Sequence, residues 1–178
     1  RLGSTELRRA ASSALNKTGA LARTRIIRGV AKQAKVPVST VRKRVFLVRA
    51  RSGDLKITQL GYARPVSLMS LIRNKQPDKG RRRRRKLRVN KQTYPNAFVR
   101  RGSNGNVQVF ERNGKLGRQG KGRWAKYKNL EKLSRVEIPI QSEVNEVLPK
   151  VNRRTFNNEF MRLFQHEYSF RLRRIMGS

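Results

Sequence analysis

Cysteine is absent from this 178-residue chain, so a disulfide framework, a thiolate metal site and a cysteine nucleophile are all excluded. Histidine occurs once, and His166 falls on the polar side of a helical pattern between Gln165 and Glu167, which reads as a surface residue rather than a base or ligand. No apolar run approaches the roughly 18 to 20 residues that span a bilayer, and no apolar signal-peptide core opens the chain, so a soluble, non-secreted chain with no membrane partner is expected. Acidic residues are scarce too: ten Asp and Glu face 45 Lys and Arg, for a net charge of +35. Self-repulsion on this scale opposes compaction, so charge of one sign speaks of partners, and the partner it implies is a polyanion, nucleic acid first.

What is present is unevenly distributed. Residues 1 to 130 hold 36 Lys or Arg against 4 acids, whereas residues 131 to 178 hold 9 against 6. The basic extreme is Arg81, Arg82, Arg83, Arg84, Arg85 and Lys86 in unbroken succession, with Arg88 just beyond. Hydrophobic residues make up 36% of the chain, enough for the modest core of one domain.

From Ser4 to Ala34, small and apolar residues (Leu7, Ala10, Ala14, Ala22, Ile26, Val30) recur at spacings of three and four, which predicts a long amphipathic helix capped by Ser4 or Thr5. Pro37 ends it, and Ser39-Thr40 caps a short second helix. Strand candidates follow at 46–51, 56–60 and 66–72, around the turn chemistry of Ser52-Gly53-Asp54. The segments 96–101 and 107–112, separated by Gly102-Ser103-Asn104-Gly105-Asn106, are the clearest hairpin, with Ala97, Val99, Val107 and Val109 lying across the pair. A last short strand is expected at 136–140. Val144, Val147, Leu148, Val151, Phe156, Phe160, Leu163, Phe164, Tyr168 and Leu172 then form the stripe of a C-terminal helix interrupted by Pro149. The fold class is α+β: a central antiparallel sheet with a long basic hairpin or loop, packed by a long N-terminal and a long C-terminal helix. Residues 1–178 are expected to form a single domain, helical over 4–45, sheet with basic loops at 73–91 and 113–128 over 46–140, and helical again over 141–175.

Catalytic inventory is poor. Glu143, Glu146, Glu159 and Glu167 sit at spacings that suit exposed helix faces among basic neighbours, so neither acid-base catalysis nor a metal site is expected, and no cofactor. Gly114-Lys115-Leu116-Gly117 and Gly120-Lys121-Gly122 lack the Walker spacing and read as a loop. The arginine run is joined by basic residues of the same inferred sheet end, among them Lys121, Arg123 and Lys126, and no triplet at helical spacing supports base reading. Phosphate contact without sequence preference is therefore expected of Arg81 to Lys86, Arg88, Lys121, Arg123 and Lys126. Trp124 and Tyr127 offer stacking surfaces, although two aromatics in a loop more simply form a local core.

The order of segments carries a further signal. Leu-Arg-Arg-Ala-Ala-Ser-Ser-Ala-Leu-Asn-Lys-Thr (7–18) continues to Val-Ala-Lys-Gln-Ala (30–34) and Val-Arg-Lys-Arg-Val (41–45). The arginine run, Pro-Asn-Ala-Phe-Val (95–99), Val-Phe-Glu-Arg-Asn-Gly-Lys (109–115) and Val-Glu-Ile-Pro-Ile (136–140) follow. From about residue 7 to residue 174 this succession resembles the minor tail protein Z family of long-tailed bacteriophages and prophages, the tail completion proteins. The stretch 116–135 is longer and richer in Gly and Lys than the family pattern. The resemblance implies a non-enzymatic structural virion component, assembled in the host cytoplasm and placed at the head-proximal end of the tail. It implies as partners a ring of its own copies, a hexamer by analogy, with tail terminator, tail tube or head-tail connector proteins, and non-specific contact with packaged genomic DNA. From composition alone, a cellular RNA-binding protein of ribosomal type stands as the alternative.

Overall fold

The structure is a computed structural model that describes residues 2–72, 87–89, 92–102, 104–116 and 131–177. The class is α+β: two long helices with small antiparallel sheets between them in sequence. The chain divides into two compact units, one formed by Arg1–Arg64 with Ile140–Ser178 and the other by Pro65–Pro139.

The first unit is built on helix α1, Leu2–Gln33. Ser4 and Thr5 lie inside the first turn of this helix rather than capping it, since the helix already starts at Leu2. Ala10, Ala14, Thr18, Ala22, Ile26 and Val30 are all fully buried. A row of every fourth residue drifts about 40° per step around a helix of 3.6 residues per turn, so α1 is covered from more than one side. Val36 donates its N–H to the Ala31 carbonyl at 3.1 Å while Lys35 takes a left-handed φ of 53°, which closes the helix in the manner of a Schellman turn before Pro37. Helix α2, Val38–Arg42, is capped by Pro37 and not by Ser39 or Thr40: the Pro37 carbonyl accepts from the Thr40 N–H at 3.0 Å.

Strands β1 (Val45–Val48) and β2 (Thr58–Gly61) pair antiparallel, Val45 opposite Gly61 and Val48 opposite Thr58. The hairpin is docked on α1 by polar clamps. Asn16 both donates to the Ala50 carbonyl and accepts from the Ala50 N–H, each at 2.9 Å, and so ends the strand at Val48 instead of Arg51. Arg23 donates to the Val45 carbonyl at 2.9 Å, and Gln59 to the Gly19 carbonyl at 2.9 Å. Gly19 lets the hairpin approach closely: a Cβ there would lie 2.1 Å from Ile57 Cδ1, so the Ile57 side chain would have to move to admit one.

Helix α3, Gln141–Met176, runs antiparallel to α1. Arg171 meets Glu6, Glu167 meets Lys17, Glu159 and Thr155 meet Arg25, and Val147 lies against Gly29, where a Cβ would be 2.8 Å from its Cγ1. The expected interruption at Pro149 is absent; the helix is continuous through it. The residues meeting α1 on the C-terminal half (Thr155, Glu159, Glu167 and Arg171) belong to one four-residue row. The adjacent row, Phe156, Phe160, Phe164 and Tyr168, is only half-buried, its last three rings stacked at centroid separations of 6.1 and 6.0 Å.

The second unit holds the remaining strands: β3 (Val66–Ser67), β4 (Leu87–Val89), β5 (Gln92–Tyr94), β6 (Ala97–Arg101), β7 (Val107–Leu116), β8 (Glu131–Arg135) and β9 (Glu137–Ile138). They form the pairs β3–β9 and β4–β5 and the sheet β6–β7–β8, all antiparallel. Instead of a strand over 66–72, β3 is two residues long and a 3-10 turn at Leu68–Leu71 follows. Leu68 and Met69 are both buried, which a strand's alternation forbids for neighbours. Strand β7 continues to Leu116, where the sequence reads as loop from residue 113, because Glu131 supplies a partner opposite Leu116. The 102–106 turn forms as expected, with Gly105 at φ 78°. Val99, Val109, Ala97, Leu68, Met69, Val89 and Val136 make the core.

Candidate nucleic-acid interface

Of the ten residues expected to contact DNA, Arg81, Arg82, Arg83, Arg84, Arg85, Lys86, Lys121, Arg123 and Lys126 lie outside the described residues, as do Trp124 and Tyr127. Arg88 is described: it is exposed at the centre of β4, opposite Thr93 of β5, while Val89 turns into the core.

The same period of two sorts the β6–β7–β8 sheet into two chemistries. Val99 opposite Val109 and Ala97 opposite Glu111 define the face turned to the core. The other face carries Phe98 opposite Phe110, Arg100 opposite Gln108, Arg135 opposite Phe110 and Arg112 opposite Leu133. The two rings are half-buried with centroids 6.4 Å apart and planes tilted by 34°. The Arg112 guanidinium carbon sits 5.8 Å from the Phe98 ring centre, a cation–π contact, and Arg100, Arg112 and Arg135 are exposed. The sequence places Ala97, Val99, Val107 and Val109 across the hairpin but leaves the buried face to the register; once Val99 and Val109 are seen to point inward, alternation puts Phe98, Arg100, Phe110 and Arg112 on the other side.

The first unit adds a cationic surface of its own. Lys150, Arg153, Arg154, Asn157 and Asn158, all exposed on one side of α3, line with Pro149 an open concavity of about 650 Å³. These side chains offer hydrogen-bond donors in every position, at the i, i+3, i+4, i+7 and i+8 spacing of a single helix face.

The acids considered as catalytic or metal-ligating candidates are placed differently from expectation. Glu159 and Glu167 face α1 rather than solvent, and Glu167 is buried. The Lys17 ammonium holds the Glu167 carboxyl below the usual carboxylate range, aided by a hydrogen bond from Ser13. Arg25, then Arg162, do the same for Glu159, at 2.8 and 2.9 Å. Arg9, at 2.6 Å, and Arg171 lower Glu6. These carboxylates are helix clamps, fixed as anions. Among the described residues no cluster of three or more His, Asp or Glu could hold a metal ion, and no helix is long and apolar enough to cross a membrane. His166 is exposed, as its setting in the sequence suggests.

No curated protein and no solved structure matches the chain. The family model of prophage minor tail protein Z (GPZ) matches residues 1–178. The segment order and the two long helices flanking small antiparallel sheets thus have one source: the chain belongs to the prophage minor tail protein Z family, structural proteins of the phage tail.

Proposed function

We propose that the protein completes the head-proximal end of a phage tail and joins it to the head, as a ring of identical subunits, a hexamer by analogy, that holds packaged DNA through its phosphates. The observation that carries this reading is the charge. A tail protein with 45 basic and 10 acidic residues, three of whose acids are already tied to cations of α1 and α3, is left with a large cationic excess. The polyanion that a tail component meets is the phage genome. In this reading the two units act together as one tail-completion domain, and Arg81 to Lys86, Arg88, Lys121, Arg123 and Lys126 supply the contacts without reading sequence. The role is structural, with no chemical step and no cofactor.

An apolar surface supports subunit or neighbour contact. On the side of the β1–β2 hairpin away from α1, Phe46, Val48, Leu60 and Tyr62 are 44 to 54% exposed, with the Phe46 and Tyr62 rings edge to face at 5.5 Å. Contiguous exposed apolar residues on a soluble element mark contact surfaces. Tail terminator, tail tube and connector proteins are the neighbours proposed beside the chain's own copies. The alternative of a ribosomal-type RNA-binding protein has only the charge in its favour.

The test joins imaging to binding. Reconstruction of intact particles is expected to place a ring of this protein at the head-proximal end of the tail; density elsewhere in the virion would end the proposal. Replacing Arg81 to Arg85 by serine should leave the fold intact and flatten the log-log salt slope of duplex binding by about 4 to 5 units, at about 0.9 per lost phosphate contact. An unchanged slope would show that the run faces solvent or an acidic protein surface.

A further inference from the structure

The outer face of the β6–β7–β8 sheet combines features that a merely solvent-facing sheet does not need. Its centre is two phenylalanines on neighbouring strands, in register, with their rings 6.4 Å apart and not stacked on each other. Its margin is three exposed arginines, Arg100, Arg112 and Arg135, one from each strand, with Gln108 as the remaining polar member. The opposite side of the same sheet carries the valines of the core, so this side is not required to hold the unit together.

From this arrangement we infer that the β6–β7–β8 face is a binding platform for single-stranded nucleic acid, with unpaired bases stacking on Phe98 and Phe110 and the phosphates between them meeting Arg100, Arg112 and Arg135. Bases offer a π face whatever their identity, so stacking on a sheet with a cationic margin gives affinity without sequence preference. Duplex DNA keeps its bases in the helical stack and presents only phosphates, so it gains from the arginines and not from the rings. The arginine over Phe98 already shows the ring face engaging a planar cation at 5.8 Å. An acidic protein surface is the weaker match, because the apolar members of the face, the two half-buried rings and Leu133, are interleaved with Arg100, Arg112 and Arg135 and do not form the continuous apolar centre of a protein interface. This site uses none of the residues of the basic run 81–86 and does not depend on where the protein stands in the tail.

The test compares a labelled oligothymidylate of about 12 nucleotides with a duplex of equal length, binding to the full chain at one fixed salt concentration. Phe98→Leu and Phe110→Leu keep apolar cover but remove the ring. Each is expected to weaken oligothymidylate binding roughly tenfold while leaving duplex binding unchanged. Equal losses for both probes, or no loss for the single strand, would overturn the inference. The exposed pair Arg100→Gln and Arg135→Gln gives a readout that misfolding does not confuse: together they should flatten the salt slope of oligothymidylate binding by about 1.4 units, at about 0.7 per phosphate contact. An unchanged slope counts against the platform. So does polyglutamate binding as tightly as the oligonucleotide and weakening alongside it in the leucine variants, which would assign the face to an acidic protein.

Discussion

Glu167 shows how a single residue organises the helix pair. It is buried on α3 in a chain with very few acids, and it survives there as an anion because the Lys17 ammonium from α1 and the Ser13 hydroxyl hydrogen-bond to it. Glu159 and Glu6 repeat the device toward the two ends of the interface. All three carboxyls are held below their usual value of 4.5. A carboxylate whose folded pKa is depressed contributes stability that is fully present above the unfolded pKa and is lost as pH falls through the folded one. The melting temperature is therefore expected to stay level between pH 7 and pH 5 and to fall below about pH 4.5. Glu167→Gln should cost about 1 kcal/mol at pH 7, or a few degrees of melting temperature, and progressively less as pH falls through the lowered pKa of the folded carboxyl. Calorimetry of the two proteins across that range decides it; parallel curves that never converge would show that Glu167 acts by packing and not by charge.

At the scale of elements, the long helices were legible because a period near 3.6 sustained over thirty residues has no competing interpretation, and Val99 and Val109 declared the hairpin by alternation. The misreadings have physical causes. Strand β8, Glu131–Arg135, has Leu133 as its one apolar residue and exists because the extended β7 offers it an unpaired edge, a property of the partner and not of its own residues. Leu68 and Met69 both bury because a 3-10 turn sets neighbouring side chains about 120° apart rather than on opposite faces as a strand does, so both can reach the core. Of the residues expected from the sequence to contact DNA only Arg88 lies among the described ones, exposed on β4, whereas the Phe98–Phe110 face needed the register of β6 against β7 before its members came together. Pro149 is the third case. Its missing N–H deprives α3 of one bond, to the Asn145 carbonyl, yet the helix continues on the strength of its contacts with α1. Pro149→Ala is accordingly expected to raise stability by about 1 to 3 kcal/mol, read as a higher denaturation midpoint in urea. A lower midpoint would mean that the chain uses the bend that proline favours to pack α3 on its neighbour.

For the molecule as a whole the governing quantity is the net charge of +35, and two electrostatic effects of opposite sign meet in it. The ion pairs that Glu6, Glu159 and Glu167 make are attractive and lose strength when salt is added. The repulsion among the surplus cations also weakens with salt, and its loss favours the folded state. Magnitudes decide between them. A partly exposed pair is worth about 0 to 1 kcal/mol, and only a handful of such pairs exist among the described residues, whereas the repulsion involves dozens of like charges spread over the whole chain. Raising ionic strength from 0.01 to 0.1 M shortens the screening length from about 30 to about 10 Å, which removes most of the repulsion between distant cations while leaving pairs in direct contact largely intact. The isolated protein should therefore melt at a higher temperature as sodium chloride is raised over that range, the reverse of a protein held together by its salt bridges. Scanning fluorimetry at a series of salt concentrations measures it directly. A melting temperature that falls with added salt would show that the helix clamps outweigh the field of the surplus cations, and would remove the physical need for a polyanion on which the proposed contact with packaged DNA rests.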